Sequence, residues 1–387
     1  MRTVIKLKVL RIVRTMDPRA GGVSEAIDQL AKVQADRKWE MDVLCFDESE
    51  AQWNQDKSYK VISLGKAFST YGIHFRYLKW LFDNVKGYDL VIFDGLWQFF
   101  LVGGYVIKFF KVPFCVYTHG MLDPYFNKNR AKYLKKLPFW FLVERNILNF
   151  SKKVIFTCEE EKNLAKLSFP KAKFSSFIVT LGVDGERNLA RTDYSDESNA
   201  SERRFGLFLS RVHPKKGLDL LLKCFTSSEC IPKDFDLVIA GPCADKYKDE
   251  LLKLVPSNFV DRVHWVGMLE GDKKWYAFKK ADFFVLPSHQ ENFGIVVAEA
   301  LSVATPVLIT NKVNIWREVD KYSCGFVEND DLEGIQKLIT NWFGLSDHER
   351  NVMRSKAEEC FRDRFSIQAA ISSFEQLLTN IGKSRIR

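Results

Sequence analysis

Two acidic residues stand near the ends of the apolar stretch LPSHQENFGIVVAEAL, which covers residues 286–301. Glu291 and Glu299 are separated by seven residues that carry no other charge. If residues 293–301 are helical, the start of the helix carries partial positive charge, and the two carboxylates lie about 12 Å apart along its axis. Such acids can hold hydroxyl groups at opposite ends of an extended ligand. The alternative is an acid that stabilises the helix dipole plus an unrelated helical glutamate, and it is weakened by the candidate residues in the neighbouring loops.

Arg211 and Lys216 are candidate ligands in another loop, SRVHPKKG at residues 210–217, which follows the apolar run FGLFLS. Arg211 can bind two oxygens with its planar fork, and Lys216 adds a compact charge. Together these side chains suit a diphosphate group. A solvated basic loop is the alternative interpretation.

The first half of the chain contains two further candidates. Gly21 and Gly22 follow the first apolar run and precede a predicted helix, where glycine permits close approach of a ligand to backbone N–H groups. The pattern is not GxGxxG, which disfavours an NAD-dependent dehydrogenase, and a tight turn alone also explains it. His119 follows the run FCVYT, although a lone histidine there is more often structural than catalytic.

Short β-branched runs alternate with amphipathic runs in two series, which predicts parallel sheets with connecting helices. The first series of strands is VIKLKVLRIV, MDVLCF, DLVIF, FCVYTHG and KVIFTC, and the second is RFGLFLS, DFDLVIAG, RVHWVG, DFFVLPS and TPVLIT. A polar stretch with little apolar periodicity separates them. The 387 residues exceed one ordinary core. The sequence therefore predicts two doubly wound α/β domains that bind ligands beyond the carboxyl ends of their strands.

The composition narrows the class of partner only slightly. The formal charge of +9 fits nucleic acid, an anionic membrane or an anionic small substrate, but no nucleic-acid-binding signature is present. The eight cysteines are scattered without a CxxC pair, which indicates a reduced, cytoplasmic protein. The amino terminus has charges inside its apolar run and no small-residue cleavage site, so we expect no signal peptide.

Two segments bear on membranes. Residues 90–110 are long enough to span a bilayer, but Asp94, Gln98 and Lys108 favour a strand, a loop and a buried helix instead. Residues 124–153 mix aromatic and basic side chains, which suits peripheral contact with an anionic membrane. An amphipathic helix with an apolar face in the core is the alternative for this second segment.

Taken together, these motifs resemble the family 4 glycosyltransferases of the GT-B fold. The resemblance rests on E-x7-E at 291–299, on SRVHPKKG, on the Gly-Gly loop and on THGMLDP at 118–124. Smaller matches are DGLWQ, CEEEKNLAKL and NIWREV, and the terminal FSIQAAISSFEQLL resembles a helix that returns to the first domain in this family. The chain departs from the family at Thr180-Leu-Gly-Val-Asp184, where Pro-Asn commonly precedes Gly-Val-Asp.

The resemblance implies two Rossmann-like domains that face each other across a cleft. Residues 1–183 would form the acceptor-side domain and residues 204–363 the nucleotide-sugar-binding domain. Residues 184–203 would link them, and a helix within 364–387 would pack back on the first domain.

The implied activity is metal-independent, retaining transfer of a hexose from UDP- or GDP-hexose to a hydroxyl of a glycan or lipid-linked sugar, in surface polysaccharide or lipopolysaccharide synthesis. Catalytic roles would fall to His119, near the donor sugar, and to Glu291. The implied binding residues are Gly21, Gly22, Arg211, Lys216, Met268, Asn292, Phe293, Gly294, Ile295 and Glu299. Of these, Arg211 and Lys216 would neutralise the diphosphate and Glu299 would bind the ribose. No metal or cofactor is expected.

Two other functions remain open from the residues alone. A non-catalytic sugar-nucleotide-binding or scaffold protein would keep the fold, but four intact charged residues, Arg211, Lys216, Glu291 and Glu299, argue against it. A sugar-nucleotide epimerase of GT-B shape would use the nucleotide site but does not match E-x7-E in this form. For the transferase we expect a cytoplasmic location, with peripheral contact at the inner face of the membrane left open.

Overall fold

The computed structural model describes residues 6–169, 172–185 and 203–383, which form two compact units. The first unit contains the described residues up to Gly182 and those from Ala370 onwards, and the second contains those from Val183 to Ala369. Most of the predicted linker, 184–203, lies outside the described residues.

The first unit is built on a seven-stranded sheet in the order β3-β2-β1-β4-β5-β6-β7. Its elements are β1 (Leu7–Val13), α1 (Gly22–Lys32), β2 (Trp39–Cys45), β3 (Val61–Ser63), α2 (Phe75–Asn84), β4 (Leu90–Asp94), α3 (Gly103–Phe109), β5 (Phe114–Tyr117), α4 (Arg130–Phe139), α5 (Arg145–Phe150), β6 (Lys153–Phe156), α6 (Glu159–Ser168) and β7 (Ser176–Ile178). A π-helical turn, Trp140–Glu144, joins α4 to α5. Neighbouring strands pair in parallel.

The second unit contains a six-stranded parallel sheet in the order β10-β9-β8-β11-β12-β13. Its elements are β8 (Phe205–Leu209), α7 (Leu218–Ser227), β9 (Asp236–Ala240), α8 (Asp245–Leu252), β10 (Val263–Gly267), α9 (Gly271–Lys280), β11 (Phe283–Leu286), α10 (Ile295–Ser302), β12 (Val307–Thr310), α11 (Trp316–Tyr322), β13 (Gly325–Glu328), α12 (Leu332–Phe343) and α13 (Asp347–Arg364). The last helix, α14 (Ile367–Lys383), begins at the end of this unit and continues into the first.

The direction of winding identifies one position in each sheet where a ligand fits. The strand order reverses between β1 and β4 in the first sheet and between β8 and β11 in the second. At such a point the loops leave neighbouring strands in opposite directions and open a crevice at the carboxyl ends. The predicted fold class, α/β with two doubly wound parallel sheets, is confirmed.

The central strands are continuous apolar runs because both faces of a parallel sheet are covered. Every residue of β4, β5, β11 and β12 is buried. Arg11 in β1 is a charged exception to these apolar runs, and it is only 2% exposed. A charge at that depth requires a partner.

The final helix completes the core of the first unit. Phe374 in α14 is buried and meets the Trp39 ring edge-on, with the ring centroids 5.2 Å apart. Arg37 lies 3.7 Å from Glu375 at the surface of the same contact. The first unit is therefore made from both ends of the chain.

The structure bears on the two segments that the sequence analysis considered for membrane contact. Residues 90–110 form a strand and a helix with a loop between them, as predicted, but α3 is not buried on all sides because Tyr105 and Phe109 are exposed. Residues 124–153 are not one amphipathic helix, since a 3-10 turn, α4, the π turn and α5 divide them. In the described part of the chain, every helix is too short or too polar to cross a bilayer.

Candidate active site

The loop after β8 is held against the loop after β11 by a glycine. Gly217 has a left-handed φ of 66° and starts α7, and a Cβ atom at this position would lie 2.1 Å from the carbonyl oxygen of Pro287. Any side chain would therefore clash with backbone, which is far harder to displace than a flexible side chain. His289 N–H also donates to the carbonyl of Lys215 at 2.8 Å.

The two loops bring Lys216 and Glu291 into an ion pair. Lys216 is 6% exposed and its ammonium donates to a carboxylate oxygen of Glu291. The sequence predicted both residues as ligands, and the structure places them side by side at the reversal point between β8 and β11. A lysine ammonium has three donors, so this group can bind a ligand oxygen as well as the carboxylate.

The backbone around Glu291 is fixed by the loop after β12. Glu291 N–H donates to Lys312 O at 2.9 Å, and Asn314 N–H donates to Glu291 O at 3.0 Å. The Asn314 amide also donates to the side chain of Asn292 at 3.4 Å. Hydrogen bonds on both sides of Glu291 give its carboxylate a rigid support, as a binding site requires.

The helix that carries Glu299 starts later than predicted. It begins at Ile295 rather than at Phe293, because Gly294 is left-handed with φ 74° and acts as the cap. Phe293 is buried and its ring packs edge-on against Phe365, with centroids 5.6 Å apart. Phe293 can therefore offer a ligand its backbone, while its side chain belongs to the core.

The remaining predicted residues of the second unit are more dispersed. Glu299 accepts a hydrogen bond from the ammonium of Lys274 in α9 at 2.6 Å. The sequence analysis did not predict Lys274 as a site residue. Arg211 is exposed in the loop after β8. Met268 is exposed just after β10. In the sheet, β9 lies between β10 and β8. Of the predicted charged residues of this unit, the structure pairs Lys216 with Glu291.

In the first unit, Gly21 and Gly22 lie where the loop after β1 becomes α1. The helix begins at Gly22, and Gly21 has φ 124°. The preceding turn is held by Asp47, which accepts from the Met16 N–H at 2.8 Å and from the Thr15 hydroxyl at 2.5 Å. The structure thus presents the start of α1 on a well-supported loop.

His119 belongs to a buried charged network. Its backbone is left-handed with φ 47°, its ring stacks on Tyr117 at 4.0 Å, and Nε2 donates to an oxygen of Asp94 at 2.9 Å. Asp94 also accepts from the guanidinium Nε of Arg11 at 2.8 Å. Burial acts to raise the pKa of Asp94, but the Arg11 charge and the His119 hydrogen bond hold that pKa below its ordinary value. Asp94 therefore stays ionised and can accept hydrogen bonds from both Arg11 and His119.

A second buried acid positions the His119 loop. Glu161 in α6 accepts from the Thr118 hydroxyl at 2.6 Å and from the Gly120 N–H at 2.5 Å. It also accepts from the backbone N–H of Thr157 at 2.7 Å. The Glu161 carboxylate thus binds the residues on both sides of His119 and connects the end of β5 to the end of β6.

A pocket of about 500 Å³ lies beside this loop in the first unit. Its lining residues include Trp97, Met121, Tyr125, Phe126, Lys128 and Lys136. Trp97 is left-handed with φ 61°, and its backbone N–H donates to Glu144 at 2.6 Å. Burial raises the pKa of Glu144 to about 8. The pocket therefore has aromatic walls and lysines, with a buried acid behind Trp97.

Comparison with known proteins identifies the family. Residues 20–187 match Glycosyltransferase Family 4, and residues 191–359 match Glycosyl transferases group 1. The chain belongs to these glycosyltransferases. The two matched segments cover most of both units.

Relatives of this glycosyltransferase include an alpha-mannosyltransferase and an O-antigen biosynthesis glycosyltransferase. It is 23% identical over 332 residues to the GDP-mannose:cellobiosyl-diphosphopolyprenol alpha-mannosyltransferase of Xanthomonas campestris, with 84% of each chain covered. It is also 23% identical over 354 residues to the O-antigen biosynthesis glycosyltransferase WclY of Escherichia coli, with 89% of this chain and 91% of the relative covered.

Solved structures confirm the GT-B architecture of the glycosyltransferase. Sucrose-phosphate synthase from Thermosynechococcus elongatus superimposes with a TM-score of 0.73 at 17% identity, covering 98% of this chain and 100% of that one. Anabaena HepE, solved with UDP and glucose, gives a TM-score of 0.72 at 18% identity, with 96% and 99% covered. At these identities the likeness establishes the fold alone.

The glycosyltransferase contains supporting residues that the sequence interpretation missed. Asp94 and Glu161 lie inside the quoted motifs DGLWQ and CEEEKNLAKL, so a signal was present, but the motifs gave them no role. Arg11 and Lys274 had no such signal, because each is a single cation in an ordinary strand or helix. Their importance depends on partners that are distant in the chain.

Proposed function

We propose that this glycosyltransferase moves a hexose from a nucleotide sugar to an acceptor hydroxyl, with retention at the anomeric carbon and without a metal ion. The observation that carries the proposal is the buried Lys216 beside Glu291, between the strand ends where the second sheet reverses. A buried cation at such a crevice suits the diphosphate of a nucleotide sugar.

The proposed chemistry relies on charge stabilisation. As the glycosidic bond breaks, the sugar becomes oxocarbenium-like and negative charge grows on the leaving diphosphate. Lys216 and Arg211 stabilise that charge more strongly in the transition state than in the ground state. Lys216 is fixed by Glu291 before the donor binds, so little reorganisation is needed during the reaction.

The neighbouring groups give the donor its orientation. We assign the donor-sugar hydroxyls to Glu291, Asn292 and the backbone of Phe293 and Gly294, and the diphosphate to the helix start at Ile295. Glu299, which lies farther along the same helix and accepts from Lys274, is assigned to the ribose hydroxyls. The backbone near Met268 is assigned to the base.

The first unit supplies the remaining roles. His119 is assigned to the donor sugar, where the bond to Asp94 keeps its ring in one orientation. The loop at Gly21 and Gly22 adds backbone N–H groups. Retention through a covalent carboxylate intermediate and retention through attack from the leaving-group face both fit these assignments.

The acceptor is assigned to the pocket beside Trp97. Its aromatic walls suit the apolar face of a sugar ring, and Lys128 and Lys136 suit an anionic linkage such as a lipid diphosphate. The Xanthomonas campestris relative is named for a diphosphopolyprenol acceptor and a GDP-mannose donor, and HepE was solved with UDP. We therefore propose a glycan or lipid-linked acceptor in surface polysaccharide synthesis, at the cytoplasmic face of the membrane, with UDP- or GDP-hexose as donor.

A donor panel tests the proposal. The purified chain is incubated with UDP-, GDP-, ADP- and dTDP-hexoses in buffer containing EDTA, and release of free nucleotide is followed. We expect slow hydrolysis of one donor, which Lys216→Ala and Glu291→Ala abolish. Lys223→Ala and Glu250→Ala are exposed, charge-matched controls in the same unit and should behave as wild type.

The other outcomes distinguish the alternatives. Interconversion of the donor hexose without transfer would indicate an epimerase, and donor binding without turnover, even with added acceptor glycans, would indicate a binding protein. A requirement for a divalent ion would contradict the metal-independent mechanism. Once an acceptor is found, the anomeric proton signal of the product decides between retention and inversion.

A further inference from the structure

Large apolar side chains are concentrated on one face of the first unit. Phe75 and Phe82 on α2 are 81% and 58% exposed, Phe109 on α3 is 72% exposed, and Leu142 in the π turn is 70% exposed. Isolated exposed apolar residues are common, but a cluster from several elements marks an interaction surface. We call this cluster, with its neighbours Tyr105, Phe110 and Phe150, the aromatic face.

Ring contacts and helical spacing connect the residues of this face. Phe82 packs edge-on against Phe110, with ring centroids 4.9 Å apart, and Phe110 contacts Phe109 at 5.1 Å. Tyr105 lies one helical turn before Phe109 on α3, and its ring contacts Phe150 at 6.2 Å. The Tyr105 hydroxyl donates to the carbonyl of Leu142 at 2.6 Å. Helices α2, α3 and α5 and the π turn therefore share one surface.

The charge around the aromatic face is strongly positive. Within residues 75–86, 105–111 and 141–150 the cations are Arg76, Lys79, Lys86, Lys108, Lys111 and Arg145. The exposed acid in these segments is Asp83, which pairs with Lys79 at 2.9 Å, whereas Glu144 is buried. Lys86 and Lys108 lie over the rings of Phe110 and Phe150, 4.7 and 3.0 Å from their centroids. Aromatic rings and cations are thus interleaved.

We propose that the aromatic face docks this protein on an anionic membrane surface. The rings can enter the boundary between headgroups and acyl chains, while the lysines reach lipid phosphates. A second copy of the chain fits less well, because a two-fold contact through this face would bring two cationic rims together. The face lies mainly outside residues 124–153, the segment that the sequence suggested. The membrane proposal rests on observations independent of sugar transfer. Docking on a membrane would nevertheless bring the Trp97 pocket to a lipid-linked acceptor.

Vesicle co-sedimentation of the full chain tests the proposal. We expect binding to vesicles of mixed phosphatidylglycerol and phosphatidylcholine, weaker binding at high salt, and little binding to phosphatidylcholine alone. The double variant Phe82→Ser with Phe109→Ser should lower the partition coefficient about tenfold or more, because two rings no longer enter the bilayer. Val260→Ser is the matched control, since Val260 is as exposed as Phe82, at 58%, but lies in the second unit.

A second variant separates charge from hydrophobic contact. Lys86→Glu with Lys108→Glu should reduce binding to anionic vesicles while all the exposed rings remain. The proposal is overturned if wild type ignores anionic vesicles, if the phenylalanine variant binds as wild type does, or if that variant only converts a dimer to a monomer. Donor hydrolysis should be unchanged in both variants, so failure of this proposal is distinguishable from failure of the transferase assignment.

Discussion

Lys216 and Glu291, which are 75 residues apart in the chain, illustrate what single residues contribute. Their types and their positions after predicted strands were readable from the sequence, and the same loop suggested the diphosphate role that we propose for Lys216 with Arg211. Their direct pairing was not readable, because it depends on β8 and β11 being neighbours in the sheet. Arg11 shows the converse, since it resembles a surface cation in a strand but is buried against Asp94.

Gly217 gives the sharpest prediction for a single residue. Gly217→Ala should destabilise the second unit by more than Gly271→Ala, because both glycines are left-handed but only at Gly217 would the added Cβ atom meet backbone. We expect about 1 kcal/mol for Gly271→Ala and at least about 2 kcal/mol for Gly217→Ala. Urea unfolding measures both values. Equal losses would show that the contact with Pro287 does not constrain the site loop.

The network around Asp94 gives a second prediction. Asp94→Asn should lower the free energy of unfolding by roughly 3–5 kcal/mol, because it leaves the Arg11 charge buried without a carboxylate. The pKa of Asp94 is lower in the folded protein, so this contribution is present at neutral pH and is lost as the pH falls through the acidic range. Arg11→Met combined with Asp94→Asn should recover part of the loss. Wild-type stability of the single variant would contradict the assignment.

At the scale of elements, the sequence predicted the buried strands and missed three others. The missing strands, β3, β7 and β13, have three or four residues, are only partly buried and lie at sheet edges. Such short segments have no periodicity to detect. The sequence analysis placed the start of α10 two residues early, because the apolar pattern already includes Phe293. The left-handed backbone of Gly294 prevents the helix from starting before Ile295.

The π turn between α4 and α5 gives a prediction for pH dependence. Burial raises the pKa of Glu144 to about 8, so the folded protein retains a proton that the unfolded chain loses above its ordinary glutamate pKa. Stability should therefore decrease as the pH rises from about 5 to 8, by at most about 1.4 kcal/mol per pH unit from this group. Glu144→Gln keeps an acceptor for the Trp97 N–H and should remove this component. Urea unfolding at several pH values tests it, and identical slopes would contradict it.

At the scale of the whole molecule, both ends of the chain build the first unit, which predicts how the units respond to mutation. Phe374→Ala should destabilise the first unit by about 3–5 kcal/mol, because it removes a buried ring that packs against Trp39. Hydrogen exchange resolved by peptide should show the loss in the strands of the first unit and little change in those of the second. Equal loosening of both sheets would contradict the division into units.

Binding of the nucleoside diphosphate from the preferred donor is the measurement that tests the central claim most directly. Isothermal titration is performed on wild type, Lys216→Ala and the exposed control Lys223→Ala. We predict that Lys216→Ala raises Kd about ten- to a hundredfold, the effect of losing a charge-assisted hydrogen bond, while Lys223→Ala binds as wild type does. An unchanged Kd in Lys216→Ala would contradict the assignment of the donor diphosphate to the loop after β8.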